Sequence, residues 1–274
     1  MMRAALLVAA ALPLCGAAPA GAADGDRWPG VAAAYVVRID GEVRWSANAD
    51  ARLAPASLTK LMTALLAVDA LEPGDEVAVS KRAAAAAGAR LGLRSGTRLP
   101  AEDLLAAALL RSANDACVAR AERVAGSEAA FVARMNARAA AMGLAGTHFA
   151  NACGLDAPGH LASARDLAVL ADAAMAAPRI AAIVRRERGT ARASDGRIFR
   201  FENTNALVGR VDGAHGVKTG WTKRAGRCLA ADAVRDGVRV SVVLLGAPDR
   251  WWDAVAMIET AFEDARARGA PRRP

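Results

Sequence analysis

Residues 227–246 read RCLAADAVRDGVRVSVVLLG. Two apolar runs flank Asp236-Gly237, a dipeptide that suits a two-residue hairpin turn because both positions tolerate positive φ. Residues 31–46, VAAAYVVRIDGEVRWS, repeat the design around Asp40-Gly41. Antiparallel strands are therefore expected near both ends of the chain. Between them lies an alanine-rich stretch with helical periodicity, and helices are predicted over 57–70, 101–110, 114–125, 127–142 and 163–176. A last helix over 250–266 closes the chain. It reads as a core helix and not as an amphipathic anchor. Strands at the ends and helices in the middle imply an α/β sandwich with a helical region inserted, the terminal strands sharing one antiparallel sheet. The segment 83–96, AAAAAGARLGLRSG, reads as a helix end followed by a loop.

The length of 274 residues can bury a real core. The formal net charge is +8. Scattered arginines mixed with acids, and aromatics at only 4%, argue against nucleic acid and for a basic surface. Residues 1–23 read as a signal peptide. Arg3 gives a positive start, 4–14 form an apolar run too short to span a bilayer, and Ala20-Gly21-Ala22 supplies the cleavage pattern. The bulky Leu14 before Cys15 disfavours lipidation. The mature protein, 24–268 with a disordered tail over 269–274, is expected to be exported and periplasmic, with no stable membrane anchor. Export permits disulfides. Cys117, Cys153 and Cys228 read first as buried thiols, with one pair plus one free thiol as the alternative.

Four lysines stand among 36 basic residues: Lys60, Lys81, Lys218 and Lys223. Where charge alone is needed this chain uses arginine, which cannot release its proton, so each lysine is informative. In PASLTKLMTALLAV (55–68), Ser57 and Lys60 lie one helical turn apart at the mouth of an apolar run. Ser57 either caps a helix or is a nucleophile. In the second case Lys60 is its base, with a pKa pushed below about 10.4 by burial and a nearby cation. In LLRSANDACVAR, Ser112 and Asn114 fall at the break between two predicted helices. Ser112 caps the second helix or relays a proton to a leaving amine, and Asn114 bonds a substrate amide and Lys60. In GAHGVKTGWTKRAGRCL, Lys218-Thr219-Gly220 precede the C-terminal hairpin on an expected strand edge, where a peptide can add as a further strand. Lys218 and Thr219 would hold a carboxylate, Gly220 would allow close approach, and the N–H of Trp221 would join that of Ser57 in an oxyanion hole. The alternative use is a turn with a solvated lysine. The three histidines, His148, His160 and His215, show no metal-binding spacing, and no cofactor is expected. His148 and His160 read as structural, and His215 as loop surface.

Ser-x-x-Lys, Ser-x-Asn and Lys-Thr-Gly in this order are the signature set of penicillin-binding proteins and related β-lactamases. The chain resembles the low-molecular-weight penicillin-binding proteins, the serine D-alanyl-D-alanine carboxypeptidases, over about residues 31–265. THFANACGLDAPGHLASARDLAVLA (147–171) and FENTNALVG (201–209) are similar to this family's inter-motif segments. The resemblance implies a β-lactamase/DD-peptidase-like fold: a five-stranded antiparallel sheet flanked by helices, with an all-helical subdomain over about 72–205. It implies an acyl-serine mechanism with Ser57, Lys60 and Ser112 catalytic, and with Asn114, Lys218, Thr219, Gly220 and Trp221 contacting substrate. The expected substrate is the peptidoglycan stem peptide, with β-lactams as acylating inhibitors. Departures are the Ala113 between Ser112 and Asn114, the Cys153 where a small polar residue is expected, and an end too early for the C-terminal β-domain of longer members. Alternatives are a DD-endopeptidase, a class A-like β-lactamase and a non-catalytic β-lactam sensor. The lactamase is disfavoured because none of Glu122, Glu128, Glu187 or Glu202 begins a Glu-x-x-Leu-Asn.

Overall fold

A computed structural model describes residues 25–269; the expected signal peptide and most of the expected tail lie outside them. The central sheet has five antiparallel strands in the order β2-β1-β9-β8-β7. These are β1 (Ala34–Ile39), β2 (Glu42–Ala47), β7 (Ala214–Thr222), β8 (Gly226–Arg235) and β9 (Val238–Leu245). Both hairpins form at the dipeptides that signalled them. Asp40 and Gly41 take φ of 48° and 90°, and Asp236 and Gly237 take 50° and 78°, the left-handed pair that a twisted two-residue turn requires.

Both faces of the sheet are covered, so its inner strands are apolar at nearly every position. Alternation then decides which side chain meets which layer. On β1, Ala34 and Val36 join the helical side, and Tyr35 and Val37 join the opposite core. That second core is closed by α8 (Arg250–Ala267), which presents Ala254, Met257, Ile258, Ala261 and Phe262. The closing helix is thus a core helix, as its sequence pattern indicated. No single helix among the described residues is long and apolar enough to cross a membrane.

The other layer holds α1 (Lys60–Ala70), α3 (Ala101–Leu110), α4 (Asn114–Ala125), α5 (Glu128–Ala141) and α6 (Ala164–Ala176). Their bounds match the sequence periodicity within a few residues. Four short features complete the fold, of which only α2 was signalled, as the helix end read at the start of 83–96. Two are helices, α2 (Lys81–Ala84) and α7 (Pro178–Val184); two are hairpins, β3 (Glu76–Ala78) with β4 (Arg98–Pro100) and β5 (Arg188–Arg192) with β6 (Ile198–Glu202). α7 and the β3–β4 hairpin span too few residues to show a period, and β5, RGTAR, lacks apolar alternation although its hairpin turns at Asp195-Gly196. Both hairpins fall within 72–205, which corrects the expectation that this subdomain is all-helical. Ser57 is also displaced from the expected helix: it sits in a 3₁₀ turn, Ala56–Thr59, and α1 starts at Lys60.

Cys117 on α4 and Cys153 form a disulfide, and Cys228 is free and buried. This corrects the reading of all three as thiols. The bridge ties α4 to the 147–161 segment across 36 residues of sequence. Closing a loop of that size restricts the unfolded chain by about 3–4 kcal/mol. Cys117→Ser with Cys153→Ser is therefore expected to lower unfolding free energy by about that amount in a urea titration. Two free thiols at these positions in native, non-reduced protein, seen by alkylation and mass spectrometry, would contradict the assignment.

Candidate active site

The turn that carries Ser57 is held in an unusual shape. Ala56 has a φ of 46°, which costs a residue with a Cβ roughly 1–2 kcal/mol. Two glycines make room for it. A Cβ on Gly154 would sit 1.9 Å from the Ala56 carbonyl oxygen, and one on Gly220 would sit 3.0 Å from the Ser57 backbone nitrogen. Gly220 thus lets edge strand β7 lie directly against the Ser57 turn.

Lys60, in the first turn of α1, points into the protein and is 1% exposed. Its Nζ lies 2.8 Å from Ser57 Oγ and 2.7 Å from the Cys153 carbonyl oxygen. Burial, reinforced by the charge of Lys218, drives this amine well below its usual 10.5. Lysine desolvated in this way favours the neutral form. The carbonyl that receives Lys60 is itself tightly placed. Asn151 Oδ1 accepts the N–H groups of Cys153, Gly154 and Leu155, and Glu128 Oε1 accepts that of Ala152. The disulfide fixes the same segment to α4.

His160 supports the turn from below. Its Nδ1 accepts the Ala150 N–H at 2.8 Å, so the ring proton sits on Nε2, which donates to Thr59 Oγ1 at 2.8 Å. The ring is structural, as expected. His215 departs from its reading as loop surface: it lies on β7, half-buried, 3.8 Å from Asp232.

Ser112 occupies the α3–α4 junction with a φ of 61°, another left-handed residue bearing a side chain. Capping does not account for it. The N-cap of α4 is Ala113, and no side chain caps that helix. Asn114 is buried, and its Nδ2 donates to the Ala87 carbonyl at 2.6 Å. This corrects the expected Asn114–Lys60 bond: the second partner of Lys60 is the Cys153 carbonyl. Asn114 Oδ1 is left as a buried acceptor without a partner, which costs free energy unless a donor arrives.

Lys218 is also 1% exposed, and burial next to Arg250 lowers it to about 7. Thr219 is bonded to Thr204 at 2.7 Å. The Thr204 hydroxyl donates to the Leu110 carbonyl, so the shared proton between the threonines comes from Thr219. This chain of bonds joins the Lys-Thr-Gly strand to the end of α3, two residues before Ser112. Arg250 clamps the same strand, with Nη1 donating to the Gly220 and Cys228 carbonyls. Trp221 follows on β7 and is 66% exposed. Thr204, Arg250, His160 and the Cys153 carbonyl were not singled out for the site from sequence. Thr204 lay within a segment noted for its similarity, but a backbone carbonyl and a partner 30 residues along leave no residue-type signal.

A D-alanyl-D-alanine carboxypeptidase family model matches residues 27–249. The chain belongs to this family. It is 36% identical over 238 residues to the D-alanyl-D-alanine carboxypeptidase DacF of Bacillus subtilis, covering 84% of the chain and 61% of the relative. It is 37% identical over 220 residues to DacC of Escherichia coli, covering 76% of the chain and 54% of the relative. The chain therefore spans less than two thirds of the length of these carboxypeptidases. Among solved structures, a serine-to-alanine mutant of the Streptomyces K15 DD-transpeptidase superposes with a TM-score of 0.80 at 27% identity, covering 85% of this chain and 98% of that one. The five-stranded antiparallel sheet with its flanking helices is the fold of these DD-peptidases.

The imidazole of His160 yields a prediction independent of catalysis. Burial pushes it down to about 4 from 6.5. Below 6.5 the unfolded chain takes up a proton that the folded chain refuses, so stability is complete above about 6.5 and falls as pH drops toward 4. Wild type is expected to lose about 1–2 kcal/mol more than His160→Asn between pH 7 and pH 5 in urea unfolding. Equal losses in the two proteins would refute the buried neutral imidazole.

Proposed function

We propose that the chain is a serine-type D-Ala-D-Ala carboxypeptidase that trims peptidoglycan stem peptides through an acyl-Ser57 intermediate. The observation that carries this reading is the 2.8 Å approach of a fully buried Lys60 amine to the Ser57 hydroxyl. An uncharged Nζ accepts the hydroxyl proton as Oγ attacks the carbonyl of the penultimate D-alanine. The developing oxyanion is met by the backbone N–H groups of Ser57 and Trp221. The peptide C–N bond then breaks, and Ser112 relays the proton now on Lys60 to the departing amine of the terminal D-alanine, leaving Nζ neutral again. Water attacks the acyl-serine as Lys60 takes its proton, and that proton passes to Ser57 Oγ as the acyl C–O bond breaks, releasing the shortened peptide and free Ser57.

The substrate is held along edge strand β7, where an extended peptide can pair with backbone left open by the sheet. Asn114 Oδ1, the orphaned acceptor, takes a substrate amide N–H. Lys218 takes the terminal carboxylate, and the Thr219 hydroxyl joins it by turning its proton from Thr204 to the arriving oxygen. With its pKa near 7, Lys218 is easily driven to its charged form by an arriving anion. β-Lactams are the natural inhibitor class for such a serine. The insertion over 72–205, helical apart from the hairpins β3–β4 and β5–β6, forms one wall of this cleft, and export to the periplasm places the enzyme at its polymer.

A second reading is DD-endopeptidase cleavage of cross-links. It is favoured by a D-alanyl-D-alanine endopeptidase of Pseudomonas aeruginosa, 33% identical over 212 residues and matched over 68% of its length. One experiment separates the readings. Benzylpenicillin should give a lasting one-to-one adduct on wild type by mass spectrometry and none on Ser57→Ala, and pentapeptide should lose one D-alanine. Rapid penicillin turnover without an adduct would point to a lactamase. Intact pentapeptide with vanishing cross-linked dimers would make the endopeptidase the function.

A further inference from the structure

Beside the catalytic groups lies a cleft of about 700 Å³ whose walls include Arg90, Arg111, Phe199, Arg200, Glu202 and Thr204. Its three arginines come from three separate segments. Arg90 is in the loop before α3, anchored where Asp115 accepts the N–H groups of Leu91, Gly92 and Leu93. Arg111 ends α3, and Arg200 lies on β6. Among the described residues none of these three guanidiniums has an ion pair or hydrogen bond. Other arginines, such as Arg179 and Arg235, are matched with carboxylates, Glu102 and Glu259. The acid in this cleft, Glu202, is drawn outward to Arg188 at 3.8 Å. The result is a pocket with excess positive charge, fork-shaped donors and an aromatic wall, which suits a carboxylate on an organic frame.

Its position says which part of a substrate would reach it. Thr204 on its rim is bonded to Thr219, and Arg111 directly precedes Ser112. Under the proposed function, which this inference rests on, Thr219 grips the carboxylate of the leaving residue and Ser112 protonates the leaving amine. The cleft therefore continues on the side where the leaving fragment departs. We propose that Arg90, Arg111 and Arg200 form an anion subsite for the leaving fragment, taking a carboxylate beyond the one held at Lys218 and Thr219. A terminal alanine leaves this subsite empty. A cross-link fills it, because there the leaving fragment is a second stem bearing carboxylates of its own. The subsite thus widens the substrate class to peptides with acidic leaving fragments.

The test uses three acyl-L-Lys-D-Ala-D-Xaa peptides in which the last residue is D-Ala, D-Glu or D-Gln. D-Glu and D-Gln match in size and differ in charge. Wild type is expected to show kcat/KM for D-Glu about fivefold or more above D-Gln, the effect of one or more exposed charge pairs. The ratio should shrink with added salt and fall toward one in Arg90→Gln and Arg200→Gln proteins whose melting temperatures show them folded. A wild-type ratio near one, with penicillin still acylating Ser57, overturns the subsite and leaves the catalytic reading standing. Failure of penicillin to acylate Ser57 overturns both. A ratio that persists in both arginine variants also overturns the subsite.

Discussion

The site depends on one constraint: a primary amine has been taken out of water and set beside a hydroxyl. An ammonium at the Lys60 position would lose its hydration and face a second buried cation at Lys218. No carboxylate in the site neutralises it; the partners of Nζ are the Ser57 hydroxyl and a peptide carbonyl. The environment therefore favours the neutral base, and much of the surrounding structure reads as what is needed to keep that base in register. The disulfide, the Asn151 turn and the Glu128 contact fix the carbonyl that orients it. The glycines at 154 and 220 let the backbone close in around Ser57.

A second consequence is that the three motifs are mechanically joined. α1, the α3–α4 junction and β7 come from distant parts of the chain. Thr204 links the last two through hydroxyl and carbonyl bonds, and Arg250 ties β7 to α8 on the opposite face of the sheet. Strain at Ala56 and Ser112 persists because these contacts over-determine it. Backbone strain beside both serines is the pattern expected where side chains must be aimed and not merely buried.

The sheet and the long helices were legible because their signals are periodic or sit in a two-residue turn. Asp-Gly at 40–41 and at 236–237 could be read directly, and 10 to 18 residues of helix leave several turns of pattern. The proposed site residues Ser57, Lys60, Ser112, Asn114, Lys218, Thr219 and Gly220 stand out in the sequence because lysine is scarce and the spacing is specific. What escaped falls into three physical kinds. The 188–202 hairpin turns at Asp195-Gly196, but its first strand, RGTAR, has no apolar alternation to mark it. The Cys117–Cys153 pairing and the Arg250 clamp depend on contacts between distant segments. The Asn114–Lys60 bond failed because a backbone carbonyl, which has no residue type to read, took the place of the side chain.

The scarcity of lysine also makes the central claim directly measurable. With four lysines in the chain, ¹³Cε-labelled lysine gives a spectrum simple enough to follow through a pH titration and to assign with Lys60→Arg. The account predicts one resonance, absent in that variant, that titrates well below 10.5. A Lys60 resonance that holds its proton until pH 10 or above would contradict it.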